Sequence, residues 1–274
     1  MTNKHYRTLK MPAHFPYPQA PAYSCGTYGE WTLKEKVGDS YERGYFTGLG
    51  TEPPGHYLVR GGHTWMSTSR FERESHAVHL KYATGNVVVC GVGMGMYLYN
   101  IASLDQVRQI VAVDLDPCTI ELVQNATRFE SWPGGDKIRF VNRNALELTP
   151  ADIGLELVDY LYVDIWPELG DPLAVPQTQA IQSVVKAAVV GWWGQEIDFI
   201  EWLFTHRPEQ EVPSAQDFLD FMKQTGLPIE EQSAAFMTGC RQAGMVFADY
   251  GSLPFALAMR KGRSWKSLKA PRIP

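Results

Sequence analysis

Val87-Val88-Val89-Cys90-Gly91-Val92-Gly93-Met94-Gly95 is the stretch on which the reading of this chain turns. Its first four residues are apolar with no polar alternation, and three are β-branched, as a strand buried on both faces of a parallel sheet requires. Glycines follow at once, at every second position. Glycine permits a tight turn and lets backbone N–H groups come close to a ligand.

Downstream, the same unit recurs. Ile110-Val111-Ala112-Val113 reads as a second buried strand ending in Asp114. Pro117 stands where a helix begins, and 120–129 continues it. Residues 138–141 read as a third strand ending near Asn144, and 160–163 as a fourth ending in Asp164. Helical pattern covers 96–104 and 181–187, and 188–192 reads as a fifth strand. Helices are expected over 197–204, 215–225 and 230–243; the last runs into the apolar Met245-Val246-Phe247-Ala248. Residues 255–259 close the pattern as another strand. Upstream, 67–82 reads as a helix with Ser69 as cap and Glu72 completing a capping box. Short β-type runs broken by Gly and Pro fill 31–65, and 1–30 reads as an irregular arm.

Strands alternating with helices predict an α/β fold. The expectation is a doubly wound, mostly parallel seven-stranded sheet with right-handed crossovers and a small N-terminal β-rich extension. The predicted organisation is an arm and extension over 1–66, the main domain over 67–262 and a basic tail over 263–274. In such a sheet, ligands bind at the carboxyl ends of the strands.

Composition narrows the function. The chain has 274 residues, 25 Lys and Arg against 30 Asp and Glu, and net charge −5. The acid excess argues against nucleic acid as the main partner, and no apolar run is long enough to span a membrane. Residues 1–21 lack the apolar core of a secretory signal. Cys25, Cys90, Cys118 and Cys240 are dispersed, with no CxxC, and read as reduced thiols of a cytoplasmic protein. A homodimer is one assembly open to it.

The dinucleotide fingerprint GxGxxG needs a third glycine where this chain has Met96. Gly91-Val92-Gly93-Met94-Gly95 has instead the GxGxG form seen in class I S-adenosylmethionine-dependent methyltransferases. Asp114, followed by Leu115, stands where a carboxylate can accept both ribose hydroxyls of an adenosine. Asn144-Ala145 stands where a short polar residue can meet an adenine edge. The alternative is that the glycines serve only helix–sheet packing and Asp114 only caps a helix.

Over about residues 67–262 the chain thus resembles the class I methyltransferase superfamily, and within it the spermidine synthase-like branch. The small β piece, the helix Ser69-Arg70-Phe71-Glu72-Arg73-Glu74-Ser75-His76, the glycine motif and the terminal 251–258 segment carry the resemblance. It implies S-adenosylmethionine as cofactor. Two positions depart from the branch. Its GGGDG aspartate is Met94 here, and its DxxDP pair is reduced to Asp164 followed by Ile165-Trp166-Pro167. Glu168 and Asp171 are out of register. The losses weaken an aminopropyl donor and favour ordinary S-adenosylmethionine, or a chemistry particular to this chain.

Asp164 is the expected catalytic residue, as general base or as anchor for an ammonium; an ordinary strand-end acid is the alternative. Trp166 is expected to wall the site, or to face a cation. Trp193 and Glu196, after the fifth strand, and Glu74 or Glu72, on the helix before the motif, complete the expected substrate or cofactor rim. Packing and solvated charge are their alternatives. Tyr57, His63 and Trp65 are placed as closing residues by the branch's layout. Glu72, His76 and His79 share a helix face but lack a fourth ligand, so no metal is expected. Residues 159–201 hold seven acids against one base, with Trp166, Trp192 and Trp193 inside the segment and Trp202 next to it. This predicts an aromatic, acidic pocket for an amine-bearing small molecule. Methyl transfer to such an acceptor is the leading expectation. Aminopropyl transfer, another S-adenosylmethionine-consuming transfer and a non-catalytic scaffold are the alternatives.

Overall fold

The structure, a computed structural model, describes residues 10–12, 15–208, 210, 212–230 and 233–250. The N-terminal part is antiparallel. β1 (Gly26–Tyr28), β2 (Trp31–Lys36), β5 (Gly55–Arg60) and β6 (His63–Ser67) form one sheet in that order, and β3 (Ser40–Arg43) pairs with β4 (Leu49–Glu52) as a separate hairpin. Two short helices follow, α1 (Arg70–Ser75) and α2 (Ala77–Tyr82). The expected single helix is therefore broken at His76. Ser69 caps α1 by accepting from the Glu72 amide.

The main domain runs β7 (Gly85–Cys90), α3 (Met96–Ala102), β8 (Val107–Asp114), α4 (Pro117–Ala126), β9 (Ile138–Asn142), α5 (Pro150–Ile153), β10 (Tyr160–Val163), α6 (Ala174–Val185), β11 (Val189–Trp192), α7 (Gln195–His206), α8 (Ala215–Thr225) and α9 (Ala234–Tyr250). β11, β10, β7, β8 and β9 form a sheet in that order, every pair parallel. Five of the seven expected strands are thus present among the described residues. The 245–248 run lies within α9, and the 251–259 segment and the basic tail lie outside the described residues. α6 begins seven residues before the expected 181. Its Pro176 obscured the start, but in a first turn the missing N–H costs no intrahelical bond.

The period-two alternation of the strands sorts their side chains between two layers. Val87, Val89, Ile110, Ala112, Tyr160 and Tyr162 pack with Leu98 and Ile101 of α3 and Leu122 and Val123 of α4. Val88, Cys90, Val111, Val113, Leu161 and Val163 pack with Ile181 of α6, Ile197 and Ile200 of α7 and Phe218 of α8. Helices therefore cover both faces, and this is why the strands read as unbroken apolar runs. The N-terminal sheet joins the first layer through Trp31, Leu33 and Leu58, which pack with Val92, Met94 and Tyr97. The Ser24 amide bonds to the Ala126 carbonyl at 2.7 Å, and the Tyr23 hydroxyl donates to the Met94 carbonyl at 2.9 Å.

Glu74 latches the loop between β3 and β4 to α1. It is fully buried and accepts from the Phe46 and Thr47 amides and the Thr47 hydroxyl, at 2.8, 3.1 and 2.6 Å. Its carboxylate is spent on backbone donors, so the substrate contact expected of it is corrected to an anchoring contact.

Gly91 makes the tightest backbone approach in the fold. It lies at φ +99°, and a Cβ there would sit 1.7 Å from the Asp164 carbonyl oxygen. Gly91→Ala is expected to cost roughly 2 kcal/mol or more of stability, because both the dihedral and the space exclude a side chain. The urea midpoint reads it; an unchanged midpoint would show that this approach is not a constraint.

Candidate active site

A cavity of about 250 Å³ lies over the carboxyl ends of β7, β8 and β10. Gly91 and Gly93 form its floor; Asp114, Leu115, Asn144 and Ala145 line one side and Asp164, Ile165, Trp166 and Trp193 the other. Glu72 of α1 and Trp31, Leu58, Arg60, Trp65 and Met66 of the N-terminal sheet complete the lining. Strand order explains the location. β8 and β10 flank β7 and their connections leave in opposite directions, so a crevice opens between them.

The loops at the floor are held by main-chain bonds. The Gly91 amide donates to the Val113 carbonyl at 2.8 Å and the Asp164 amide to the Cys90 carbonyl at 2.7 Å. Asp114 accepts from the Val92 amide (2.8 Å) on one oxygen and from the Asp116 amide (2.9 Å) on the other. The Thr119 side chain and the Gly93 amide also hydrogen-bond to it, so Asp114 is held by donors from both neighbouring loops. A Cβ on Gly93 would come within 2.4 Å of the Met66 sulfur, so the roof closes directly on the glycine turn.

Three tryptophans line the cavity with their indole N–H groups already bonded: Trp31 to Asp116 (2.7 Å), Trp166 to Gln177 (2.7 Å) and Trp193 to Ser75 (2.7 Å). Their orientations are fixed, and what they offer a ligand is ring surface. Arg60 sits over the Trp31 ring at 5.0 Å and is paired with Glu30.

The carboxyls are strongly perturbed. Burial, with the Asp114 charge second, pushes Asp164 up to about 7. Burial, with the Asp164 charge second, pushes Glu72 up to about 8. Burial also raises Asp114, against the amides that lower it. His76 and His79, lowered by burial to about 4 and about 3, stay neutral at physiological pH. They face Tyr162 (2.9 Å) and Tyr160 (3.0 Å) rather than one another. Among the described residues no His, Cys, Asp and Glu group has a metal-holding arrangement, and no helix is long and apolar enough to cross a membrane.

The structure thus brings Gly91, Gly93, Asp114, Leu115, Asn144, Ala145, Asp164, Trp166 and Trp193 around one cavity, with Trp65. Gly95 stands apart, at φ +78° as the N-cap of α3. Tyr57 and His63 do not reach the lining. Glu196 is corrected: it is fully buried, accepts from the Tyr45 hydroxyl (3.0 Å) and lies 3.8 Å from His79 Nε2, inside the core. The acid-rich segment is also divided. Asp159 pairs with Arg108 at 3.0 Å, whereas Asp171, Asp198 and Glu201 line a separate cavity of about 420 Å³ with Trp202 and Phe221. Arg60, Met66, Trp31, Asp116, Thr119 and Arg143 were missed. Asp116 had a signal, as an Asp directly before a helix-starting Pro. Trp31 and Arg60 had none, because only the packing of the two sheets brings them over the site.

No protein-family model matches the chain, and no curated protein does. Similar solved structures include a spermidine synthase in complex with the transition-state analogue AdoDATO. It is 14% identical, with 70% of this chain and 66% of that chain covered and a TM-score of 0.38. The spermidine synthase from Thermotoga maritima is 15% identical, covers 68% and 65%, and has a TM-score of 0.36. A putative S-adenosyl-L-methionine-dependent methyltransferase from Methanococcus maripaludis is 13% identical, covers 55% and 66%, and has a TM-score of 0.30. The chain spans slightly less than two thirds of each.

The buried carboxyls set a pH dependence of stability. A carboxyl raised by folding ionises first in the unfolded chain, so stability falls as pH rises from its unfolded to its folded value. The lowered histidines act oppositely, but only below their unfolded value of about 6.5. Between about pH 6.5 and 8 the carboxyls act alone. The thermal midpoint is expected to fall across that window. Glu72→Gln should flatten the fall more than Asp164→Asn, because Glu72 titrates through the whole window. Equal slopes in wild type and Glu72→Gln would overturn the assignment.

Proposed function

We propose that the chain is an S-adenosylmethionine-dependent transferase acting on a small, amine-bearing molecule, with methyl transfer as the reaction. The observation that carries the reading is the convergence of Gly91, Gly93, Asp114 and Asp164 on one cavity at the switch point of the sheet. A glycine floor admits a ligand close to the backbone. Asp114, oriented by the Val92 and Asp116 amides, lines the cavity where the hydroxyls of a ribose would lie. Asn144 and Leu115 stand on the same side, where a nucleobase would lie, and Leu115 is exposed enough to cover it. On the far side Asp164 provides a carboxylate, and Trp166 and Trp193 provide apolar wall.

When bound, the cofactor would supply a methyl group activated by its sulfonium. The chain's residues then have two tasks. Trp166, Trp193 and the roof residues Trp31 and Met66 exclude water and align the partners, which for an activated methyl is most of what a catalyst must do. Asp164 holds or takes the proton of the attacking nitrogen. Transfer of an aminopropyl group is the second reading, supported only by the layout of the N-terminal sheet over the site.

Calorimetric titration with S-adenosylhomocysteine is expected to show binding, and Asp114→Ala is expected to weaken it by more than about tenfold, or about 1.4 kcal/mol. Unchanged affinity would remove the ribose role, and no binding to the wild type would remove the cofactor. In turnover assays with S-adenosylmethionine and an amine panel, mass spectrometry should find S-adenosylhomocysteine as product. Methylthioadenosine instead would identify aminopropyl transfer. Asp164→Asn should cut turnover while leaving the circular dichroism spectrum unchanged; full turnover would remove the base assignment.

A further inference from the structure

Two carboxyls open into the cavity without a partner, and they come from different elements. Glu72 is 9% exposed, yet its carboxyl accepts no hydrogen bond from a described residue. The basic atom that approaches it, His76 Nε2, is 3.9 Å away, beyond hydrogen-bonding distance, and belongs to a neutral ring. Asp164 uses its backbone groups in the fold, and its carboxyl likewise meets no donor among the described residues. Each is close enough to a neighbouring acid to feel its charge. An unpartnered buried carboxyl such as Glu72 is costly and persists where a ligand supplies the missing cation.

The cations already lining the cavity are committed elsewhere. Arg60 is paired with Glu30, and Arg143 lies 3.8 Å from Asp152. The ring surfaces of Trp166 and Trp193 adjoin Asp164, with their N–H groups bonded to Gln177 and Ser75. Ser75 stands one turn after Glu72, and its hydroxyl donates to the Glu72 carbonyl at 2.7 Å. Hence one hydrogen-bonded chain ties the helix that carries Glu72 to the tryptophan wall.

We propose that Glu72 and Asp164 together form the subsite for the reacting nitrogen, and that the acceptor is an aliphatic amine whose alkyl part lies on Trp166 and Trp193. This rests on the S-adenosylmethionine reading above and adds Glu72 as a residue that touches the acceptor. Asp164 is followed in sequence by Ile165 and Trp166, not by a second acid, and the second carboxyl reaches the site from α1 instead. The amine enters as an ammonium, with two carboxyls to receive its N–H groups. One N–H proton passes to a carboxylate oxygen of Asp164, with Glu72 receiving another N–H group, which leaves a neutral nitrogen with a free lone pair and a neutral carboxylic acid, so charge is conserved. Only a group that can shed a proton and keep a lone pair meets these terms. An alcohol of equal length carries no charge for the pair, and a quaternary ammonium has no proton to give.

The test uses the full chain saturated with S-adenosylhomocysteine and titrated with butylamine, with butan-1-ol as the neutral control. Wild type is expected to bind butylamine at least about tenfold more tightly than butanol. Glu72→Gln should lower butylamine affinity by about tenfold or more while S-adenosylhomocysteine affinity stays within about twofold. Glu72→Asp, which keeps the charge, should preserve the preference for amine over alcohol, and the thermal midpoint of each variant reports its folding. Butylamine affinity unchanged in Glu72→Gln, or equal binding of amine and alcohol by wild type, overturns the proposal. A loss of S-adenosylhomocysteine binding in Glu72→Gln overturns it too, by moving Glu72 to the cofactor. If wild type does not bind S-adenosylhomocysteine at all, the cofactor reading has failed. The same amine and alcohol titrations on the unloaded protein then decide the Glu72 subsite separately.

Discussion

The site depends on how closely the main chain at Gly91 approaches the main chain at Asp164. A hydrogen atom is all that fits between them, since a Cβ would lie 1.7 Å from the Asp164 carbonyl oxygen. The contact follows from pairing β7 with β10 in parallel register up to Cys90 and Val163, after which the Asp164 amide donates back to the Cys90 carbonyl. With the two strand ends drawn together, the cavity floor is backbone, and every side chain that serves the site stands around its rim. A bulkier residue at 91 would part the strand ends and move Asp164.

Around that floor the chain separates two uses of acidic side chains. Glu74 is fully buried and supplied with donors by the Phe46 and Thr47 amides, and Glu196 is fully buried with one oxygen accepting from the Tyr45 hydroxyl and the other without a hydrogen-bond partner. They stiffen the connection between the N-terminal part and the main domain. Glu72, which is buried, and Asp164, which is partly exposed, line the cavity without such donors among the described residues. Their raised proton affinity shows that the surroundings disfavour the ionised form unless a cation is supplied. Two such carboxyls, from different elements, thus share one cavity.

The tryptophans follow a similar division. Trp31, Trp166 and Trp193 spend their N–H groups on Asp116, Gln177 and Ser75 and turn ring surface to the cavity. Trp192 is fully buried and donates to Asp198 at 2.6 Å, in the layer on the other side of the sheet. Adjacent tryptophans thus serve opposite sheet faces, because side chains alternate along a strand and its immediate exit. Of the tandem pair, Trp193 lines the cavity and Trp192 is core.

Local signals were enough for the main domain. The apolar four-residue runs, the glycines after the first and the acids after the second and fourth follow from short-range chemistry: strand burial, turn conformation and strand-end placement. They located Gly91, Gly93, Asp114, Asn144 and Asp164 from sequence, because a parallel sheet puts all its strand ends at one edge. What only the tertiary structure decided was orientation and cover. Period alone could not tell that a helix broken at His76 turns Glu72 to the cavity and Glu74 to the hairpin loop, since two positions on a helix differ by an angle that matters only once neighbours are in place. Nor could it place Trp31 and Arg60 over the site, because nothing in a strand's own pattern records which sheet will pack above it.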